Sequence, residues 1–245
     1  MFCGMLEVNP KPDQFDIYFS MAKLLRPELE KIDGFVDNDR YASLTCPGWL
    51  LSLSSWRDEK ALVRWSVEAK HHKVMQAARD RVFADYRMHI GEFVADTQIH
   101  AGLTLQQMRL DVTETGIGKA ITLLDAQRDP GWVKRADAET VMQSLGFDPV
   151  SSDALKWDVF EAVTTPGNLI VLVKWSDLAT AEAFRQNVAV PEDTRLRNVR
   201  VVRDYGMFDR REAPQYFAEV HPAAEIECLA TSRVAGQKTV DGTQF

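Results

Sequence analysis

Cys46-Pro47-Gly48-Trp49-Leu50-Leu51-Ser52-Leu53-Ser54-Ser55-Trp56-Arg57-Asp58 reads as a tight turn, an apolar strand ending in tryptophan, and a helix cap. The stretch occurs twice. Pro166-Gly167-Asn168-Leu169-Ile170-Val171-Leu172-Val173-Lys174-Trp175-Ser176-Asp177 repeats it at a constant offset of 119 residues, Pro47 to Pro166. The same offset carries Asp39 onto Asp158 and Asp85-Tyr86 onto Asp204-Tyr205. One shift that holds without a gap from strand to helix to strand marks an internal duplication.

The first copy reads outward from that stretch. Met1–Val8 is a strand, stopped by Asn9-Pro10-Lys11-Pro12. Phe15, Tyr18, Met21, Ala22, Leu25, Leu29 and Ile32 recur at helical spacing, so a helix is predicted over Gln14–Ile32, with Asp13 as its cap and Gly34 beyond its end. Phe35–Leu44 alternates as a strand with Val36, Asn38, Arg40 and Ala42 on one face. Asp58 caps a second helix, with His71-His72 at its end or at a kink, and Phe83–Val94 is the fourth strand.

In the second copy Lys119–Ala126, Leu155–Val163, Leu169–Trp175 and Leu196–Phe208 are strands. Asp129-Pro130-Gly131 reads as a turn, and helices are predicted over Ala136–Leu145 and from Asp177 to about Asn187. Units at 1–98 and 119–210, a linker at 99–118 and an arm and tail at 211–245 follow. Each unit is about 100 residues, an ordinary domain size.

A net charge of -7 argues against nucleic acid and anionic membrane surfaces as partners, since both require a basic face. No apolar run is long enough for a membrane span, and Cys3, Cys46 and Cys228 share no metal-type spacing. They read as free thiols in a reducing cytoplasm.

The order strand-helix-strand-strand-helix-strand is the ferredoxin-like motif. The residues Leu29–Phe35, Pro47-Gly48, Ser52–Glu59, Trp65, His71 and Phe83–Arg87 resemble the antibiotic biosynthesis monooxygenase family, within the dimeric α+β barrel superfamily. The resemblance covers about Met5–Val94, and the second copy looks like a diverged partner. It implies an α+β fold: two βαββαβ units fused in one chain, their antiparallel sheets packed as a pseudo-dimeric barrel, with a homodimer of whole chains as a further arrangement.

The resemblance also implies a small-molecule pocket between a sheet and its own helices. Trp65 and His71 match the family's tryptophan-to-histidine spacing. His71 is then a base toward a phenol, Arg40 and Asn38 contact a substrate oxygen, and Trp65, His72 and Tyr86 bind the substrate. The plainer alternatives are a solvated basic helix end at Lys70–Lys73, a core Trp65, and a structural Tyr86 matched by Tyr205. Ser66 stands where the family often has arginine. Phe184 and Val190 occupy the positions of Trp65 and His71 in the second copy, so the pocket is expected in the first half alone.

No dinucleotide loop, metal cluster or nucleophile elbow is present in the sequence. The resemblance implies a monooxygenase using no cofactor, acting on a small aromatic or quinone-type compound; the absence of these motifs fits that activity and fits a non-enzyme equally well. A heme-binding or heme-degrading protein and a non-catalytic ligand-binding or stress-response module are the alternatives.

Overall fold

The computed structural model describes residues 1–150 and 152–220. The chain order is β1 (Phe2–Pro10), α1 (Phe15–Glu30), β2 (Phe35–Ser43), β3 (Leu50–Trp56), α2 (Glu59–Ser66), α3 (Ala69–Arg81), β4 (Phe83–Asp96), β5 (Ala120–Gln127), α4 (Pro130–Val133), α5 (Ala138–Ser144), β6 (Lys156–Ala162), β7 (Asn168–Trp175), α6 (Leu178–Asn187) and β8 (Arg195–Gly206). All eight strands close into one antiparallel barrel in the order β1-β3-β2-β6-β7-β5-β8-β4. The first half supplies β4-β1-β3-β2 and the second β6-β7-β5-β8.

Burial on both strand faces explains the apolar runs. Along β7, Leu169, Val171 and Val173 pack outward against the second half's helices. Ile170 and Leu172 point into the lumen with Met5, Leu53, Leu123 and Val199. The duplicated tryptophans are fully buried framework, and each indole N–H finds a hydroxyl, as a buried indole requires. Trp56 donates to Ser54 (3.0 Å) and Trp175 to Thr122 (2.8 Å). The turns before them need glycine, since Gly48 has φ +90° and Gly167 φ +82°.

The two seams between the halves differ. At one, β4 pairs with β8 from Arg87↔Gly206 to Asp96↔Arg197. At the other, β2 pairs with β6 over Tyr41, Ala42 and Ser43 alone.

Several sequence expectations change. Gln14, not Asp13, precedes α1, and it makes no side-chain cap bond. Asp129-Pro130-Gly131 opens the short helix α4, with Asp129 accepting from Trp132 N at 2.7 Å. The second helix is two helices. The segment between the units is held to the barrel, because the Glu92 carboxylate accepts the backbone N–H groups of Met108 and Arg109.

Cys3 is buried and free, and burial pushes its thiol up to about 12. Cys46 is buried. Cys228 and the tail at 221–245 lie outside the described residues. Among the described residues no helix is long and apolar enough to cross a membrane.

Candidate active site

A cavity of about 130 Å³ lies between the first half's sheet and α1, α2 and α3. It is comparable to an engineered apolar cavity of about 150 Å³ that binds benzene. His71, Arg40, Asn38, Trp65 and Tyr86 all line it. His72 does not; its ring stacks at 4.7 Å on Phe217, which lines the cavity in its place.

The helix break builds the pocket wall. On one continuous helix, residues six apart would sit about 120° apart around the axis and about 9 Å along it. Here α2 ends at Ser66, and Glu68 starts α3 by accepting from the backbone N–H groups of Lys70 (3.0 Å) and His71 (2.6 Å). The reversal brings the Trp65 and His71 rings into a stack, with centroids 4.2 Å apart and planes 25° apart. Burial pushes the imidazole down to about 4, against the pull of the Trp65 and Ser66 carbonyls and Glu68. His71 is therefore neutral at neutral pH, and its Nδ1 has no partner among the described residues. A neutral ring carries one nitrogen able to accept a proton, while the Trp65 and Ser66 carbonyls favour the N–H and the imidazolium form.

Asn38 and Arg40 enter from β2, two residues apart and so on one face. Asn38 donates to Ser52 Oγ (3.1 Å) and to Leu53 O (3.0 Å), which leaves its buried Oδ1 without a partner. It therefore offers an acceptor for a ligand hydroxyl, whereas the sequence suggests a donor to an oxyanion. Arg40 forms no ion pair among the described residues, and its buried Nε is unpartnered. Burial pushes the Tyr18 hydroxyl up, while Arg40 beside it pulls it down. The charged residues lining the cavity are Arg26, Arg40 and Arg210, with neither aspartate nor glutamate.

Tyr18, Arg210 and Phe217 are lining residues that the sequence did not single out. Tyr18 sat on the helix's apolar stripe and looked like core. Arg210 and Phe217 follow β8 of the other half, and nothing local marks them as neighbours of β4.

The corresponding space in the second half is filled. Phe147, Phe184, Trp157 and Val190 pack with Met142 and Trp175 against the sheet, with the Trp175 and Phe184 rings 5.0 Å apart.

A heme does not fit these residues. A cavity on the scale of one benzene-sized ligand does not take a tetrapyrrole.

A barrel closed from two α+β halves, with a ligand cavity under the helices of one, defines a fused form of the dimeric α+β barrel. No family model matches the sequence. The chain is 41% identical over 222 residues to the jasmonate monooxygenase ABM of Pyricularia oryzae, spanning 89% of this chain and 98% of that one. It belongs to the antibiotic biosynthesis monooxygenase family. Among solved structures, an aldoxime dehydratase bound to butyraldoxime aligns at TM-score 0.52 and 12% identity, covering 82% of this chain and 79% of that one. A second aldoxime dehydratase aligns at TM-score 0.51 and 10% identity, covering 82% and 81%. These two share the fold.

Proposed function

We propose that this chain is a monooxygenase that uses no cofactor and oxidises a small cyclic compound bearing a phenol or ketone oxygen. The observation that carries the reading is two unpartnered nitrogens, on His71 and Arg40, in one largely apolar cavity. His71 takes a proton from the substrate. Arg40 holds the oxygen on which negative charge develops, where a low-dielectric wall strengthens the attraction. Asn38 Oδ1 accepts from a substrate hydroxyl, and Trp65 keeps the imidazole in place from behind.

The chemistry balances without an outside reductant for an activated CH2. Loss of one proton leaves a carbanion delocalised onto oxygen. That anion gives one electron to dioxygen, the radical pair couples to a hydroperoxide, and loss of water leaves a carbonyl. CH2 and O2 become C=O and H2O.

The fungal relative is named for jasmonate, a cyclic ketone carrying a carboxylate. A ligand of that kind suits an apolar cavity whose charged lining residues are all arginines. The open space, wide enough for one ring, favours a ligand over the alternative of a filled, non-catalytic module.

The test is oxygen uptake with hydroquinones, small cyclic ketones and jasmonate, together with isotopically labelled dioxygen. Uptake by the wild type, one labelled oxygen in the product, and loss of both in His71→Ala are expected. An inert wild type, or full activity in His71→Ala, would count against the proposal.

A further inference from the structure

Three guanidinium groups in or beside the cavity lack a carboxylate partner among the described residues. Arg40 is one. The other two, Arg79 and Arg210, converge on a single atom. Arg79 Nη1 donates to Tyr86 Oη at 2.6 Å, and Arg210 Nη1 donates to the same oxygen at 2.6 Å. Tyr86 and Arg79 are each 2% exposed.

The phenol oxygen has two lone pairs, and both are engaged by cations. Its own O–H has no protein acceptor among the described residues, and Tyr86 faces the cavity. Two cationic donors on one oxygen polarise its O–H and strengthen the bond that it can donate.

The segment that delivers Arg210 is fixed. Arg210 Nη2 donates to Gln215 O (2.8 Å), and Gln215 Nε2 donates to Ser66 O (2.7 Å) at the end of α2. Arg79 donates to Met207 O (3.3 Å). Phe217 lies under both guanidiniums, 5.3 Å from Arg79 and 5.0 Å from Arg210, while His72 stacks on it. Arg79 and Arg210 therefore face a ring and backbone carbonyls, with no carboxylate partner among the described residues.

We propose that Tyr86, backed by Arg79 and Arg210, forms a second oxyanion contact, additional to Arg40, for a phenolate or enolate oxygen. Its second guanidinium comes from the exit segment of the other half. The halves then divide the labour unevenly: the space under the second half's helices is packed with side chains, and that half completes the pocket of the first.

The inference rests on reading the cavity as the substrate pocket, and p-nitrophenol separates the two ideas, because its ionised form is coloured. In the wild type, bound p-nitrophenol is expected to ionise at lower pH than free p-nitrophenol. In Tyr86→Phe and in Arg210→Gln the ionisation midpoint of the bound probe is expected to rise by about 1 unit, the scale of a nearby charge. The double variant is expected to match Tyr86→Phe, since the two act through one atom. Thermal melts of each variant check that the fold is kept.

If the wild type does not bind p-nitrophenol, the pocket reading fails and this inference falls with it. If it binds and the midpoint is the same in Tyr86→Phe and Arg210→Gln, the oxyanion subsite alone is overturned.

Discussion

Lys174→Met would remove the ammonium that faces Glu7 inside the barrel. Lys174 Nζ lies 2.5 Å from Glu7 Oε1 and 3.0 Å from His89 Nε2, and His89 Nε2 is 2.7 Å from the same carboxylate oxygen. His89 Nδ1 lies 3.1 Å from Asp204. Burial alone would favour a protonated Glu7; the Lys174 ammonium, with His89, outweighs it and holds the carboxyl well below the usual range. Deleting one partner of a buried pair costs about 3–5 kcal/mol, because the other charge stays buried without compensation.

Here the pair borders a polar cavity of about 480 Å³. That cavity is roomy enough for water, so the low end applies, about 3 kcal/mol. At about 2–4 °C per kcal/mol for a chain of this length, the melting midpoint should fall by roughly 6–12 °C. The pH dependence has a definite sign. Since the folded-state pKa of Glu7 is depressed, the pair stabilises above the unfolded value near 4.5 and loses that contribution as pH falls through the folded value. The gap between wild type and variant is therefore widest at neutral pH and narrows in acid.

Melts followed by circular dichroism at neutral and acid pH measure the gap. Adding Glu7→Gln should restore part of the loss, by about 1–2 kcal/mol of coupling. A Lys174→Met protein that melts with the wild type at neutral pH would refute the reasoning. So would a double variant no more stable than the sum of the single losses.

Three further outcomes follow from the same geometry. Because His71 is depressed to about 4, stability is full above its ordinary value of 6.5 and declines as pH falls between them; His71→Gln should flatten that decline in denaturation midpoints. Asp158 accepts from Ser43 Oγ, and burial raises it to about 6, so its ionisation costs stability as pH rises through that value. Asp158→Asn should therefore gain on the wild type between acid and neutral pH in the same assay. Gly167→Ala should lose far more stability than Gly48→Ala. Both carry positive φ, a strain of about 1–2 kcal/mol for alanine, but a Cβ at Gly167 would sit 2.2 Å from Arg128 O, against 3.5 Å to the nearest atom at Gly48.

The duplicated turn-strand-tryptophan stretch was enough to show two like units, because repetition of Pro-Gly, an apolar strand and Asp is a framework signal carried by local chemistry; that the two units close into a barrel came from the family resemblance. Arg40 and Asn38 were legible as cavity candidates because they share one face of a predicted strand, whereas Trp65 and His71 were picked out by the family's spacing and Tyr86 read equally well as framework. The stack of Trp65 on His71 was not legible: it depends on a helix break at Val67-Glu68 that the helical apolar spacing runs through. Arg210 and Phe217 were hidden for another reason. Their place beside Tyr86 is set by β8 pairing with β4 across the molecule, and no residue near Arg210 records that pairing. Glu7, His89 and Lys174 read as ordinary strand positions, since a charged lumen at one end of a closed barrel leaves no periodic trace.

The unequal seams have a consequence for how the molecule breathes. In a symmetric dimer a rotation maps one seam onto the other, so both must open with the same free energy. Joining the halves in one chain lifts that constraint. The β4–β8 seam spans most of two long strands, while the β2–β6 seam is held over Tyr41–Ser43. Amide hydrogens along Arg40–Leu44 and Val159–Val163 should exchange with solvent well before those of Met88–Phe93, so the ring has a built-in place to part. Arg40 and Asn38 lie on the strand at that parting line.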